Sequence, residues 1–251
     1  MMLKCNYKHI SLAKIGNSKD ENEDNILAPS TTEIIDEQIV RFAISDGATE
    51  SSFSKEWSDL LVSCFKDKSF DPENLPTTIK GISETWQSMA KSIELPWYAE
   101  QKAENGAFAT FLGITLNFTN AKFEAVAIGD CTLFLIRNDK LDTSFPITKI
   151  EEYGNTPNLF SSNQKYQTDF EKTVNYLNGI ILKDDLLILA SDALAMWIFQ
   201  RIKEGEKPWY SLMTLLNYEE YQTDFANWTA NKIKENEIKN DDISLVIINI
   251  E

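Results

Sequence analysis

Between Ala107 and Asn138 three runs with strand character, AFATFLGITLNF, KFEAVAIGD and TLFLIRN, follow one another with only short polar turns such as NFTNAK between them. Each run is rich in β-branched and aromatic residues, and strands joined so closely pair antiparallel. Antiparallel sheet is therefore the backbone of the fold. Two more runs, YKHISLAKIG (7–16) and IVRFAIS (39–45), lie upstream, and IILKDDLLILAS (180–191) and ISLVIINI (243–250) lie downstream. Between them, apolar residues recur at helical spacing. Trp57, Leu60, Leu61 and Cys64 predict a helix from Ser51 to about Lys66, and Ile79, Ile82, Trp86, Met89 and Ile93 a second from about Leu75. Residues 193 to about 237 read as largely helical, with breaks near Gly205 and Pro208. The segment 149–173, KIEEYGNTPNLFSSNQKYQTDFEKT, shows neither period and is expected to be a long surface loop or small mobile flap with a functional task.

With 251 residues, 43% of them hydrophobic, and no repeat or low-complexity linker, residues 1–251 are expected to form a single domain with a sizeable core. The 39 acidic residues outnumber 24 basic ones, a formal net charge of −15 that repels phosphate backbones and anionic lipid, so neither nucleic acid nor membrane is an expected partner. No apolar run reaches the length of a membrane span, since stretches such as DDLLILASDALAMWIF are interrupted by acids. Cys5, Cys64 and Cys131 are odd in number and widely spaced, with no signal-peptide pattern ahead of them, which suits a cytoplasmic location.

Strands in this chain repeatedly end on aspartate: Asp46 after RFAIS, Asp130 after FEAVAIG, Asp192 after LLILAS, with Asp241 just before ISLVIINI. Each alone is accounted for by a turn or a helix N-cap, which aspartate favours. Four together are harder to explain that way. If the strands share one end of a sheet, these carboxylates converge and repel unless a multivalent cation neutralises them. One histidine and no close cysteine pair argue against zinc, whereas oxygen ligands suit Mg²⁺ or Mn²⁺. Upstream, KDENEDN supplies Glu23 and Asp24, with Lys19 as a nearby cation able to hold phosphate.

In this order the pieces resemble the metal-dependent serine/threonine protein phosphatases of type 2C. Lys19, Glu23 and Asp24 match the family's Arg-x-x-x-Glu-Asp, with lysine for arginine; SDGATES matches its Asp-Gly metal bridge; GDCTLF, SDALAMW and DDIS match its later aspartate segments. The stretch GAFATFLGI is similar to its small-residue core strand. The resemblance implies an α+β fold in which two antiparallel β-sheets pack as a central sandwich flanked by α-helices on both sides. It implies two Mn²⁺ or Mg²⁺ ions, with Asp46 bridging them and the Gly47 carbonyl, Asp192 and Asp241 as further ligands. Asp130 would hold a third ion, Glu23 and Asp24 metal-bound waters, and Lys19 the phosphate. The implied reaction is hydrolysis of phosphoserine or phosphothreonine by a metal-bridged water, on a phosphoprotein that a serine/threonine kinase makes.

Three positions depart from the pattern. Many members carry histidine after Asp-Gly, where this chain has Ala48; its only histidine, His9, lies in the first strand and is expected to be structural. Lys19 gives up the bidentate fork of arginine. Ala193 stands where the family has glycine. These departures motivate a rival reading, a phosphatase-like binding or regulatory module without turnover. A two-metal nuclease is disfavoured by the net charge. Cys131 and Arg137 have the Cys-x5-Arg spacing of cysteine-dependent phosphatases, but the apolar run between them reads as a strand roughly 20 Å long rather than a phosphate-cradling loop.

Overall fold

Strand side chains alternate between faces, and runs such as FLGITLN, TLFLIR, LLILA and ISLVIINI are apolar on both, so the sheets must be covered on both sides. The computed structural model describes residues 3–29, 33–34, 38–49, 51–67, 70–93, 103–154, 157–167 and 169–251. In chain order the strands are β1 (Cys5–Leu12), β2 (Asn25–Leu27), β3 (Glu33–Ile34), β4 (Ile39–Ser45), β5 (Phe108–Ala109), β6 (Phe111–Asn117), β7 (Lys122–Ile128), β8 (Thr132–Arg137), β9 (Lys140–Phe145), β10 (Phe160–Ser161), β11 (Asn175–Ile180), β12 (Leu186–Ala190) and β13 (Ile243–Ile250). One sheet has the order β3-β1-β13-β12-β8-β9, another β11-β7-β6-β4-β2, and β10 pairs with β5. All the pairings are antiparallel.

Inner faces meet in one core: Val40, Phe42 and Ile44 of β4 and Leu112, Ile114 and Leu116 of β6 share it with Leu187, Leu189, Val246 and Ile248 of the other sheet. The outer face of the β4–β6–β7 sheet, through Ala43, Phe111, Val126 and Ile128, packs on α1 (Ser54–Asp67) and α2 (Leu75–Lys91) by way of Trp57, Leu61, Phe65, Ile79 and Trp86. On the opposite side Phe134, Ile188, Leu245 and Ile247 meet Leu194, Trp197, Leu212 and Phe225. These belong to α4 (Asp192–Lys203), α5 (Pro208–Asn217) and α6 (Tyr221–Lys234), α3 being the single turn Phe170–Thr173. The layers run helix, sheet, sheet, helix, as expected. Fully buried anchors such as Trp57 and Phe65 each hold a helix to its sheet, and truncation of such a side chain costs about 3–5 kcal/mol.

The helical stretch after Ser191 breaks where expected: Gly205 takes a positive φ of 83° after α4, and Pro208 opens α5, where its missing N–H costs nothing. Four strands were not anticipated: β3 and β10, of two residues each, and β9 and β11. β9 and β11 are edge strands with largely polar, exposed residues, so they lack an apolar alternation to read. The segment 149–173 is also more anchored than its composition suggests. Phe160 is fully buried between the sheet and α1, its carbonyl accepts from Trp57 Nε1 at 3.0 Å, and Ser162 N–H bonds the Ala107 carbonyl at 2.8 Å. Among the described residues no helix is long and apolar enough to cross a membrane.

Candidate metal centre

Register brings the aspartates to common ends. In the first sheet Ala190 faces both Leu245 and Thr132, and Leu12 faces Ile243, so the end of β12, the starts of β13 and β8 and the end of β1 coincide. In the second, Asn25 faces Ser45, Ile44 faces Leu112 and Phe111 faces Ile128, which aligns the start of β2 with the ends of β4 and β7. Asp24, Asp46, Asp130, Asp192 and Asp241 are the residues that lie just beyond these ends.

Asp46 and Gly47 are held by backbone. The Asp46 carbonyl accepts from Thr110 N–H at 2.9 Å and Ala48 N–H donates to the Phe108 carbonyl at 2.8 Å, a bridge in which the Gly47 carbonyl takes no part. A Cβ on Gly47 would lie 3.0 Å from the Glu23 carbonyl oxygen and from two atoms of Ser54, so glycine allows a close approach of the 23–24 segment that a larger residue would have to push back by a few tenths of an ångström. Gly129, with φ 94° and Thr110 within 2.6 Å of where a Cβ would stand, makes the turn that presents Asp130. Asp192 opens α4, directly after Ser191, whose hydroxyl accepts from Ser244 N–H at 2.9 Å.

The electrostatics record a shortage of positive charge. Asp46 is held well above the usual carboxylate range, first by burial and then by Asp24, Asp192, Asp130 and Asp241. Burial pushes Asp24 up to about 8; the nearby Ser244 and Ser191 hydroxyls oppose the shift, while Asp242 and Asp192 add to it. Despite those hydroxyls, neither Asp24 oxygen has a hydrogen-bond partner of good geometry among the described residues. Asp130 rises to about 6 by burial and the charge of Asp192, and Asp192 rises by burial and the charge of Asp241. A carboxylate set with an orphaned buried member fits a hard divalent cation and its oxygen-rich shell. Among the described residues no three such groups are already gathered tightly enough to hold an ion.

The other sequence candidates divide. Glu23 accepts from the Ser54 hydroxyl and has Lys14 Nζ at 4.0 Å from Oε2. Lys19 is exposed on the 3₁₀ turn Lys19–Glu21 and lines a cavity of about 570 Å³ together with His9, Ser11, Asn22 and Asp24. The lysines that contact the acidic groups are others. Lys14 meets Glu23 and reaches Thr49 Oγ1 at 3.4 Å, and Lys239 Nζ lies 2.6 Å from Asp241 Oδ2 and 3.9 Å from Asp192 Oδ2. Neither lysine carried a signal in the sequence, nor did Ser191 and Ser244. Asp242 could have been noticed as the second half of the Asp-Asp pair. His9 lies in β1 opposite Val246 with its ring 6.2 Å from that of Tyr7. Cys131 is buried against Thr110, and Arg137 is committed to Asp185 at 2.7 and 2.8 Å, so the two do not form a phosphate cradle.

By sequence, no family model and no curated protein matches the chain. By structure it is similar to the Mycobacterium tuberculosis serine/threonine phosphatase PstP/Ppp, with a TM-score of 0.61, 13% identity and 98% of each chain covered. The catalytic domain of PstP in complex with two manganese ions matches with a TM-score of 0.59 and 14% identity over 99% of both chains. RsbX in complex with magnesium matches at 0.55 and 15%, covering 99% of this chain and 96% of that one. The fold is that of the type 2C protein phosphatases. In this phosphatase fold the expected two-sheet sandwich is realised along essentially the whole chain, although identity is confined to about one residue in seven.

Proposed function

We propose that this chain is a metal-dependent phosphoprotein phosphatase acting on phosphoserine or phosphothreonine. The observation that carries the reading is the set of mutually repelling aspartates, Asp24, Asp46, Asp130, Asp192 and Asp241, at the strand ends of a two-sheet sandwich. Asp46, the Gly47 carbonyl, Asp192 and Asp241 would hold two Mn²⁺ or Mg²⁺ ions, with Asp130 toward a third. The solved structures of PstP with manganese and RsbX with magnesium support that choice of ion. Two such ions supply an activated water and a clamp on the phosphoryl oxygens.

The chain's own residues set the stage for that chemistry. Gly47 lets the Glu23–Asp24 segment close over the Asp46 corner, and Asp24 offers two unpartnered oxygens that can order water. Lys14 and Lys19 are the cations at the 14–24 segment able to meet a phosphate or its flanking peptide. The substrate is read as a phosphoprotein whose modification a serine/threonine kinase installs, the whole of 1–251 as one catalytic domain, and the location as cytoplasmic, on the odd, scattered cysteines.

The departure at Ala48 keeps the rival of a binding module without turnover in play. Release of inorganic phosphate from a phosphopeptide, measured with Mn²⁺ and again after chelation, separates them. Turnover that appears with the metal and vanishes with the chelator supports the phosphatase. Phosphopeptide binding without turnover supports the module, and chelator-resistant turnover removes the metal mechanism.

A further inference from the structure

Lys239 stands on the segment between α6 and β13, and its ammonium reaches two of the proposed metal ligands, Asp241 at 2.6 Å and Asp192 at 3.9 Å. Its backbone is clamped from the next residue on. Asn240 Oδ1 accepts from Ile15 N–H at 2.8 Å and its Nδ2 donates to the Ile15 carbonyl at 3.2 Å, while Asp242 accepts from Lys14 and Glu23 N–H groups at 2.8 Å each. The lysine stem is thus tethered at the rim of the acidic cluster with enough reach to move and nowhere distant to go.

We propose that Lys239 is a tethered counter-ion that competes with the divalent metal for Asp192 and Asp241. This inference rests on the metal-site reading above. An exposed ion pair ordinarily contributes little, because water screens it and each partner is well solvated apart. Here the lysine side chain is 63% exposed but the carboxylates are only 18% and 27% exposed, and they sit among further aspartates. Without the ammonium those carboxylates face one another uncompensated. With it, an incoming ion must displace one positive charge to gain the ligands, so part of the attraction that draws the metal in is already satisfied. The displaced ammonium remains beside the site, where it can meet an anionic phosphoryl group.

The test is Mn²⁺ binding by isothermal titration calorimetry, alongside thermal unfolding of the metal-free protein, for the wild type, Lys239→Ala, Lys239→Gln and Lys239→Arg. Both neutral variants are expected to bind Mn²⁺ roughly three- to tenfold more tightly and to unfold at lower temperature without metal, with arginine close to wild type. Lys239→Gln keeps most of the stem, so a folding defect peculiar to alanine would not obscure the result. Unchanged or weaker Mn²⁺ binding in folded neutral variants overturns the inference while leaving the phosphatase reading intact. A wild type that binds no Mn²⁺ at millimolar concentration overturns both.

Discussion

Asp242 receives the backbone N–H of Glu23 on one carboxylate oxygen and that of Lys14 on the other, each at 2.8 Å. Through this one side chain the start of β13 is tied to both ends of the loop that carries Lys19, Glu23 and Asp24. The carboxylate is buried, so its removal leaves two donors without partners, and hydrogen bonds to charged groups contribute about 1.5–3 kcal/mol. Asp242→Ala is expected to lower unfolding stability by about 3 kcal/mol, and Asp242→Asn, whose amide keeps one acceptor oxygen, by about half as much. Denaturant midpoints of the metal-free proteins check this. Equal, negligible losses would show that the loop is held from elsewhere.

What the sequence made legible follows from where each signal resides. Inner strands such as β4, β6, β7 and β13 carry apolar residues dense enough to announce sheet, and Asp46, Asp130, Asp192 and Asp241 stand out because each adjoins such a run. β9 and β11 gave no warning, since edge strands covered by water need no apolar face. Phe160 is one of four aromatics scattered through a polar stretch at no regular spacing, so its role as the staple of 149–173 emerges only from packing. Lys14 and Asp242 are 228 positions apart and meet through the β1–β13 pairing. Lys239 is one surface lysine among many until the fold sets it beside two aspartates.

The cluster predicts a distinctive pH dependence for the metal-free protein. The carboxyls of Asp24 and Asp130 rise from 3.8 to about 8 and about 6 on folding, so between those values the folded state holds more protons than the unfolded one. Stability therefore falls as pH rises, beginning above the unfolded value and continuing to about pH 8, the reverse of an ordinary salt-bridged aspartate. Unfolding midpoints are expected to drop by at least about 4 °C from pH 5 to pH 8. Asp24→Asn is expected to reduce the slope above pH 6, Asp46 carrying the remainder, and saturating Mn²⁺ to flatten it by supplying the missing charge. A metal-free wild type whose stability climbs over this range would contradict the burial of these charges.

Asp46 is pushed up by burial and by Asp24, Asp192, Asp130 and Asp241 together, which makes it an informative single substitution. Asp46→Asn preserves shape and deletes the charge. Phosphopeptide turnover is expected to fall at least a hundredfold, and the rise in unfolding temperature on adding Mn²⁺ to shrink to a small fraction of the wild-type rise. Full retention of the metal-induced rise would move the ion to another part of the molecule.

Cys131 offers a control at close range. Its thiol is buried, 3.1 Å from Thr110 Oγ1, and burial with the charge of Asp46 pushes its pKa well up, so it holds no nucleophilic thiolate near neutral pH. Cys131→Ser is expected to keep turnover within about threefold, and Cys131 of the folded wild type to resist alkylating reagents while the half-buried Cys64 reacts faster. A loss as deep as that of Asp46→Asn would reopen the thiol mechanism.

The absence of an imidazole beside Asp46 leaves the proton for the leaving alkoxide unassigned. Ala48 occupies that place with both backbone groups engaged, its N–H to the Phe108 carbonyl and its carbonyl to Ser51, and His9 is on β1 against Tyr7. Asp130, proposed above to face a third ion, is the group placed to order the water that would bring a proton. Phosphoserine leaves as a strongly basic alkoxide and depends on such a donor by typically 10²- to 10⁴-fold, whereas nitrophenolate departs without one. Asp130→Ala is therefore expected to depress phosphoserine turnover at least about tenfold more than nitrophenyl phosphate turnover, with Mn²⁺ held saturating for both. Adding Ala48→His in that background is expected to restore part of the phosphoserine rate, because the ring would then stand next to the Asp46 corner. Parallel losses on the two substrates, with no recovery from histidine, would mean that Asp130 serves metal loading or folding and that the proton comes from another source.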